Sequence, residues 1–459
     1  MAGRKSTPLH PTLDSPVVKE AAQQLVWAVQ NEAGERTLSP RSYERAIRDL
    51  ERLRGRPLFF PGITSGAGRG ARVRMADGTT KLDFVGGIGV QLFGHGDEDL
   101  LQTAVAAAAS DVVFQGHLLP GPEYLRLSRL LRKAAGSRFR HVWLSLSGAV
   151  ANENALKMIF QRHAPADHIV VFERAFHGRT GVMQELSDKP AYREGQPLRT
   201  GVLQVPFFDP SDPDSTMRSV EVLDAHLQRH PGRVAGMCFE LVQGEGGFNT
   251  APREFFAALM QRCRDEKIAV WVDEVQTFGR TGELFAYQTL DLESYVDVVT
   301  LGKTLQGSAA VFTARYNPKP GLVAGTFAGN TAGMAVGARI LERLTKDGYL
   351  GPDGRVAVLG RRIEKRFEAL AKRLPRAIGA QSGLGAMRAF VPFDGEPATV
   401  KAVLMAAFDE GLILLNAGAN PMKIRLLPPV NVTDEELEGA FAILEKALRQ
   451  VAESRGWPC

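Results

Sequence analysis

From about residue 141 onward the chain alternates short apolar runs with amphipathic stretches: HVWLSLSG, NENALKMIFQRHA, IVVFE, VAGMCFELV, REFFAALMQRCRDE, IAVWVDEV and DVVTLGK. Short apolar runs suit strands buried on both faces, and the stretches between them have the length and period of covering helices. The pattern predicts a large α/β domain over roughly residues 81–345, with a mostly parallel sheet between two helical layers. Upstream, MADGTTKLDFV reads as a hairpin turning at Asp77-Gly78. Downstream, over 346–459, helical patterns flank RAFVPF and KIRLLPPV, as in an α+β unit whose sheet and helices segregate. Residues 1–80 are expected to form an N-terminal arm that packs with this C-terminal segment as a smaller domain. At 459 residues the chain exceeds what one core fills, in keeping with that division.

Composition narrows the partners. Hydrophobic residues make up 44% and charged residues 23%, as in ordinary globular chains. No apolar stretch follows the basic residues of MAGRKSTPLHPTLDSP, and nowhere do about 18 apolar residues run uninterrupted by charge. A cytoplasmic protein without membrane contact is expected. Cys238, Cys263 and Cys459 are widely spaced and odd in number, which predicts neither disulfides nor a metal site. The net charge of +5 is dispersed among acids in helical stretches such as RRIEKRFEALAKRL, so it reads as solvated helix surface and not as a nucleic-acid stripe.

Ligands of open α/β sheets gather at the carboxyl ends of the strands, so polar residues directly after apolar runs matter most. Ile268–Val272 ends in Asp273, and Val298–Leu301 ends in Gly302-Lys303-Thr304. Alone, such an Asp serves as a helix cap or arginine partner, and such a lysine reaches solvent. Together they match pyridoxal chemistry, which needs a lysine to attach the cofactor and an acid to keep the pyridine nitrogen protonated. A phosphate needs an anion site. Ser145-Leu146-Ser147-Gly148-Ala149 leads into a helix expected to begin near Asn152, where free N–H groups and the helix dipole favour an anion. GITSGAGRGARV lacks the glycine spacing and the following helix of a dinucleotide loop. His95 and His177 read as structural or ring-edge histidines.

SGAVANENALK, AFHGRT, FELVQGEGG, VWVDEVQTFGRTG, TLGKT, GTFAGN and IRLLPPV, in this order, resemble the class III, or ω-amino acid, aminotransferases of pyridoxal-phosphate fold type I. NENALK and AFHGRT are most similar to the 4-aminobutyrate and lysine ε-aminotransferase branch, and AFHGRT also occurs in ornithine-type members. The resemblance implies that Gly148 and Ala149 cradle the phosphate, Phe176 stacks on the ring, Asp273 pairs with the ring nitrogen and Gln276 bonds the ring hydroxyl. It makes Lys303 the cofactor lysine, and Thr326 the residue that reaches the phosphate from the other subunit of a homodimer, or of a tetramer built on one. Arg425 matches the arginine for a substrate α-carboxylate, Glu245 its removable partner, and Arg179 the contact for a distal carboxylate. The implied reaction is ping-pong amino transfer from an amino acid or ω-amino acid to a 2-oxo acid, 2-oxoglutarate being favoured. Isomerases, racemases and decarboxylating dialkylglycine-type enzymes share this scaffold. A non-catalytic cofactor-binding protein would have no chemical need for both Lys303 and Asp273. Departures from the family pattern fall at Ala149 (often a hydroxyl), Val150 (often an acid), Leu241 (mostly proline) and Gly94-His95-Gly96-Asp97-Glu98 in place of GHxHP.

Overall fold

The computed structural model describes residues 11–31, 37–113 and 117–457; Cys459 and the first ten residues, on which part of the terminal reading rests, lie outside the described residues. Seven strands form the main sheet, in the order Phe139–Ser145, Ser308–Thr313, Val298–Leu301, Ala269–Glu274, Val234–Phe239, His168–Phe172 and Gly201–Val205. Pairing is parallel except at Ser308–Thr313, which runs antiparallel to both neighbours. Two of these strands were not among the expected runs. Ser308–Thr313 follows the Lys303 turn with no intervening helix, so no change of period marks it. Gly201–Val205 is an edge strand, only partly buried and interrupted by Gln204.

Strand alternation sends successive side chains to two cores. Val270 and Val272 join Phe255 and Leu259 of the Arg253–Asp265 helix, whereas Ala269 and Trp271 join Leu156 and Ile159 of the Gly148–His163 helix. Asp273 continues the Trp271 face and meets the beginning of the second helix. That helix starts at Gly148, four residues before the expected position near Asn152, because Ser147 caps it by accepting the Val150 N–H at 3.3 Å.

Two four-stranded sheets lie outside the main one. Thr64–Arg69, Arg72–Met75 and Thr80–Asp83 continue into Leu412–Ile413, so one sheet joins N- and C-terminal segments. The Asp77-Gly78 turn is present: Asp77 accepts the Thr79 N–H at 2.9 Å and Gly78 takes φ 89°, a conformation glycine tolerates. GITSGAGRGARV supplies paired strands, consistent with discarding it as a dinucleotide loop. The other sheet orders Gln381–Leu384, Met387–Phe390, Lys423–Leu426 and Leu415–Ala417. One charge reading is corrected: Arg362, Arg366 and Arg373 of RRIEKRFEALAKRL pair with Asp434, Glu438 and Glu445, forming an inter-helix ladder and not only solvated surface. Among the described residues, no helix is long and apolar enough to cross a membrane.

Candidate active site

Parallel pairing in register sets Asp273 beside Thr300 and Glu274 beside Leu301, so Lys303 emerges next to the Asp273 strand end. Both residues line a cavity of about 880 Å³ at the carboxyl ends of these strands. Gly148, Ala149, Phe176, Arg179, Glu245, Gln276 and Arg425 line the same cavity. Thr326 does not: it is exposed in a short helical turn, Thr326–Gly329. His95 is also elsewhere, its Nε2 2.8 Å from Asp83, whose other oxygen accepts the Val85 and Gly86 N–H groups.

The carboxylate of Asp273 is held from three sides. One oxygen lies 2.8 Å from both Asn152 Nδ2 and His177 Nδ1, and the other accepts the Val275 N–H at 3.0 Å. Burial opposes charge on His177, but the Asp273 hydrogen bond and its charge outweigh burial and raise the ring's pKa. Glu240, buried behind them, accepts the Phe176 and Gly244 N–H groups. Burial, opposed by His177 and reinforced by Asp273, pushes its pKa up to about 7. Asn152 and Glu240 were not singled out from the sequence as site residues. Each sits inside a segment quoted for the resemblance, and only their contacts across the fold mark them.

The Lys303 side chain makes no hydrogen bond or ion pair among the described residues, and desolvation lowers its pKa to about 8, with Glu245 working against the shift and Arg425 adding to it. Its backbone has φ 44°, an uncommon conformation for a non-glycine residue and one that clusters at functional sites. Arg425 is buried; its Nη1 lies 2.8 Å from Glu245 and donates to the Gly244 carbonyl at 3.0 Å, while its Nε has no partner. Burial works against charge on Glu245, yet the Arg425 guanidinium holds its pKa below the usual value. Arg179, exposed, stacks on Tyr192 with its guanidinium carbon 4.1 Å from the ring centre.

A pyridoxal phosphate fits this donor set. The unpartnered lysine and the anchored carboxylate open on one cavity whose wall includes the first turn of a helix. At that turn only glycine is tolerated: a Cβ on Gly148 would lie 2.5 Å from Val275 Cγ1. His177 Nε2 and Asn152 Oδ1 are buried without partners, so polar capacity remains around the carboxylate.

The family described as Aminotransferase class-III matches residues 58–448. An acetylornithine aminotransferase from Thermosynechococcus vestitus is 32% identical over 408 residues, covering 86% of this chain and 94% of the relative. A 2-aminoadipate transaminase from Pseudomonas putida is 34% identical over 416 residues, covering 85% and 96%. The lysine aminotransferase from M. tuberculosis superposes with a TM-score of 0.79 at 25% identity, covering 88% of this chain and 99% of that one. With its fold of type I and its cavity built for this cofactor, the chain belongs to the class III aminotransferases, pyridoxal-phosphate-dependent enzymes that transfer an amino group from an amino donor to a keto acid.

Proposed function

We propose that the enzyme takes the amino group of an ω-amino acid and passes it to a 2-oxo acid, 2-oxoglutarate first among them, using Arg425 and Glu245 as an exchangeable pair. The observation that carries this reading is the 2.8 Å ion pair between them in the same cavity as Lys303. An ω-amino donor presents methylenes where an α-amino acid presents a carboxylate, and a buried guanidinium facing methylenes without a partner is costly. Glu245 supplies that partner and withdraws when a carboxylate arrives. Relatives named for acetylornithine and lysine support an ω-amino donor, and one named for 2-aminoadipate shows that the family spans more than one donor type.

When bound, the cofactor supplies an electron sink for the negative charge left on the donor carbon. Asp273 holds the proton at the ring nitrogen, and Asn152 and His177 keep that carboxylate oriented. Gln276 would bond the ring hydroxyl, Phe176 would pack on the ring face, and the backbone N–H groups of Gly148 and Ala149 would hold the phosphate. Lys303 attaches the cofactor through Nζ. The neutral Nζ, once free, would be the group that moves the proton of the donor carbon. Arg179 binds a distal carboxylate.

Two subunits share the sites in this reading, Thr326 serving the phosphate of the partner. An exposed apolar patch around that turn supports it: Val112, Leu118, Leu119, Leu146 and Phe327 are each more than half exposed. His117 ties the Gly325 carbonyl into the same region at 3.3 Å. We place the enzyme in the cytoplasm and divide it at about residues 80 and 345.

Half-reactions test the pair. Arg425→Lys removes the bidentate grip, so the half-reaction with glutamate or 2-oxoglutarate should lose about 2 kcal/mol. The half-reaction with 4-aminobutyrate should lose much less. Glu245→Ala should shift preference toward α-amino acids. Equal losses in both halves for both variants, read by single-turnover absorbance, would overturn the reading.

A further inference from the structure

Behind the loop that carries Glu245 lies a second cleft of about 820 Å³, bounded by the Pro206–Phe208 segment on one side and by Ser382 and Lys423 on the other. Lys423 is the unusual residue in it. Its side chain is buried on a strand two residues before Arg425 and shares that residue's face. The ammonium donates to Asn249 Oδ1 and Ser382 Oγ, both at 2.9 Å and both neutral. No carboxylate is paired with it among the described residues. Burial first, and then the charge of Arg174, push its pKa down to about 8.

Arg174 faces the same cleft. Its backbone has φ 62°, held by Asp188 accepting its N–H at 2.7 Å, while its guanidinium makes no hydrogen bond or ion pair among the described residues. The other charges on the cleft wall are largely engaged. Asp209 accepts from Ser211, Asp212 pairs with Arg218 at 2.8 Å, and Glu364 pairs with Arg388 at 2.5 Å. Glu173 and Asp209 are the acids left against two cations, Asp209 keeping its charge within electrostatic reach of Arg174, and neither is paired with Lys423. A buried ammonium with neutral acceptors and a spare N–H, facing a guanidinium held in strained backbone, is costly in the empty fold and suits an anion.

We propose that this cleft is a second ligand site, separate from the Lys303 cavity, that takes a small oxyanion, phosphoryl or carboxylate, on Lys423 and Arg174. Its occupant would touch the segment that carries Glu245. Ser382 Oγ donates to the Gly247 carbonyl at 2.9 Å, the Lys423 chain lies against Gly247, and Gly418 donates to the Glu245 carbonyl at 2.7 Å. Drawing Ser382 and Lys423 toward an anion loosens the back of this loop while Glu245 pairs with Arg425 at its front. The site therefore couples to donor choice, a clause that rests on the proposed role of Glu245; the binding site itself does not.

Calorimetric titration of the holoenzyme at matched ionic strength tests it, with inorganic phosphate in one arm and glutarate in the other. The holoenzyme already fills the cofactor's phosphate site, and Arg425→Lys weakens anion capture in the Lys303 cavity. In that variant one saturable anion site should remain. Adding Lys423→Gln should weaken it at least about tenfold, the loss expected for a charge-assisted bond, and Arg174→Gln should weaken it several-fold. Arg174 lies at the surface, so its variant keeps the test open if Lys423→Gln does not fold. The arm that saturates at lower concentration identifies the anion. Absence of saturable binding in the Arg425→Lys variant, or unchanged binding in the Arg174 variant, would sink the proposal. The coupling clause predicts that the preferred anion changes the ratio of 4-aminobutyrate to glutamate turnover in the wild type and not in Arg174→Gln; an unchanged ratio removes that clause alone.

Discussion

Lys303 sits at a left-handed backbone position with its amine desolvated and unpaired, and both features bear on its proposed capture of a cofactor aldehyde. Only the neutral amine is a nucleophile. A pKa near 8, against an ordinary 10.5, makes Lys303 largely neutral from about pH 9 upward. The apoprotein should therefore capture pyridoxal phosphate at a rate that rises with pH through about 8 and levels off above it. Stopped-flow absorbance across pH 6.5–10.5 reads this directly, and a rate still climbing at the top of the range would mean the amine is not desolvated. The chemistry of the pair was legible in the sequence because each residue ends an apolar run. The depressed pKa was not, since it arises from burial and from the nearby Arg425, 122 residues away in the chain.

Among the elements, the C-terminal helix Asp434–Ser454 shows how local sequence and packing divide the work. Its start is written locally: Thr433 accepts the Glu436 N–H at 3.1 Å, Glu436 accepts the Thr433 N–H at 3.1 Å, and three acids occupy the first turn. Thr433→Ala should lower stability by about 1 kcal/mol and leave kcat/KM unchanged, because the helix does not line the Lys303 cavity. A denaturation midpoint indistinguishable from wild type would show that packing alone holds the helix end. Its arginine ladder to the Arg355–Arg373 helix could not be anticipated in the same way. Charges on a helical stretch look alike in sequence whether they face water or a second helix.

For the whole molecule, the separation of Thr326 from the cavity that holds Lys303 bears on assembly. If Thr326 completes the partner's site, a Lys303→Ala chain and a Thr326→Val chain are each impaired alone but complementary when mixed. A mixed dimer carries both lesions in one site and none in the other. Random reassortment should thus restore about one quarter of all sites. Activity after mixing that equals the sum of the two parents would show that each chain builds its site alone. The exposed apolar patch beside Thr326 supplies a surface for such pairing. Its members come from segments up to 215 residues apart, Val112 to Phe327, so no run in the sequence displays it.

The sequence by itself determined the alternation of buried runs and helices, the Asp77-Gly78 turn, and the two strand-end residues that pyridoxal chemistry requires. These are local: a strand's period, a turn's backbone and a polar residue after an apolar run are all written in consecutive residues. Only the tertiary structure decided that Ser308–Thr313 runs against its neighbours and that Asn152 and His177 hold Asp273. It likewise decided that Lys423, two residues from Arg425, lies in a different cleft with no carboxylate paired to it among the described residues. Each of these depends on which distant segment comes to lie alongside, and on how much water that contact removes. Desolvation and long-range pairing are properties of the folded solid, and no window of sequence contains them.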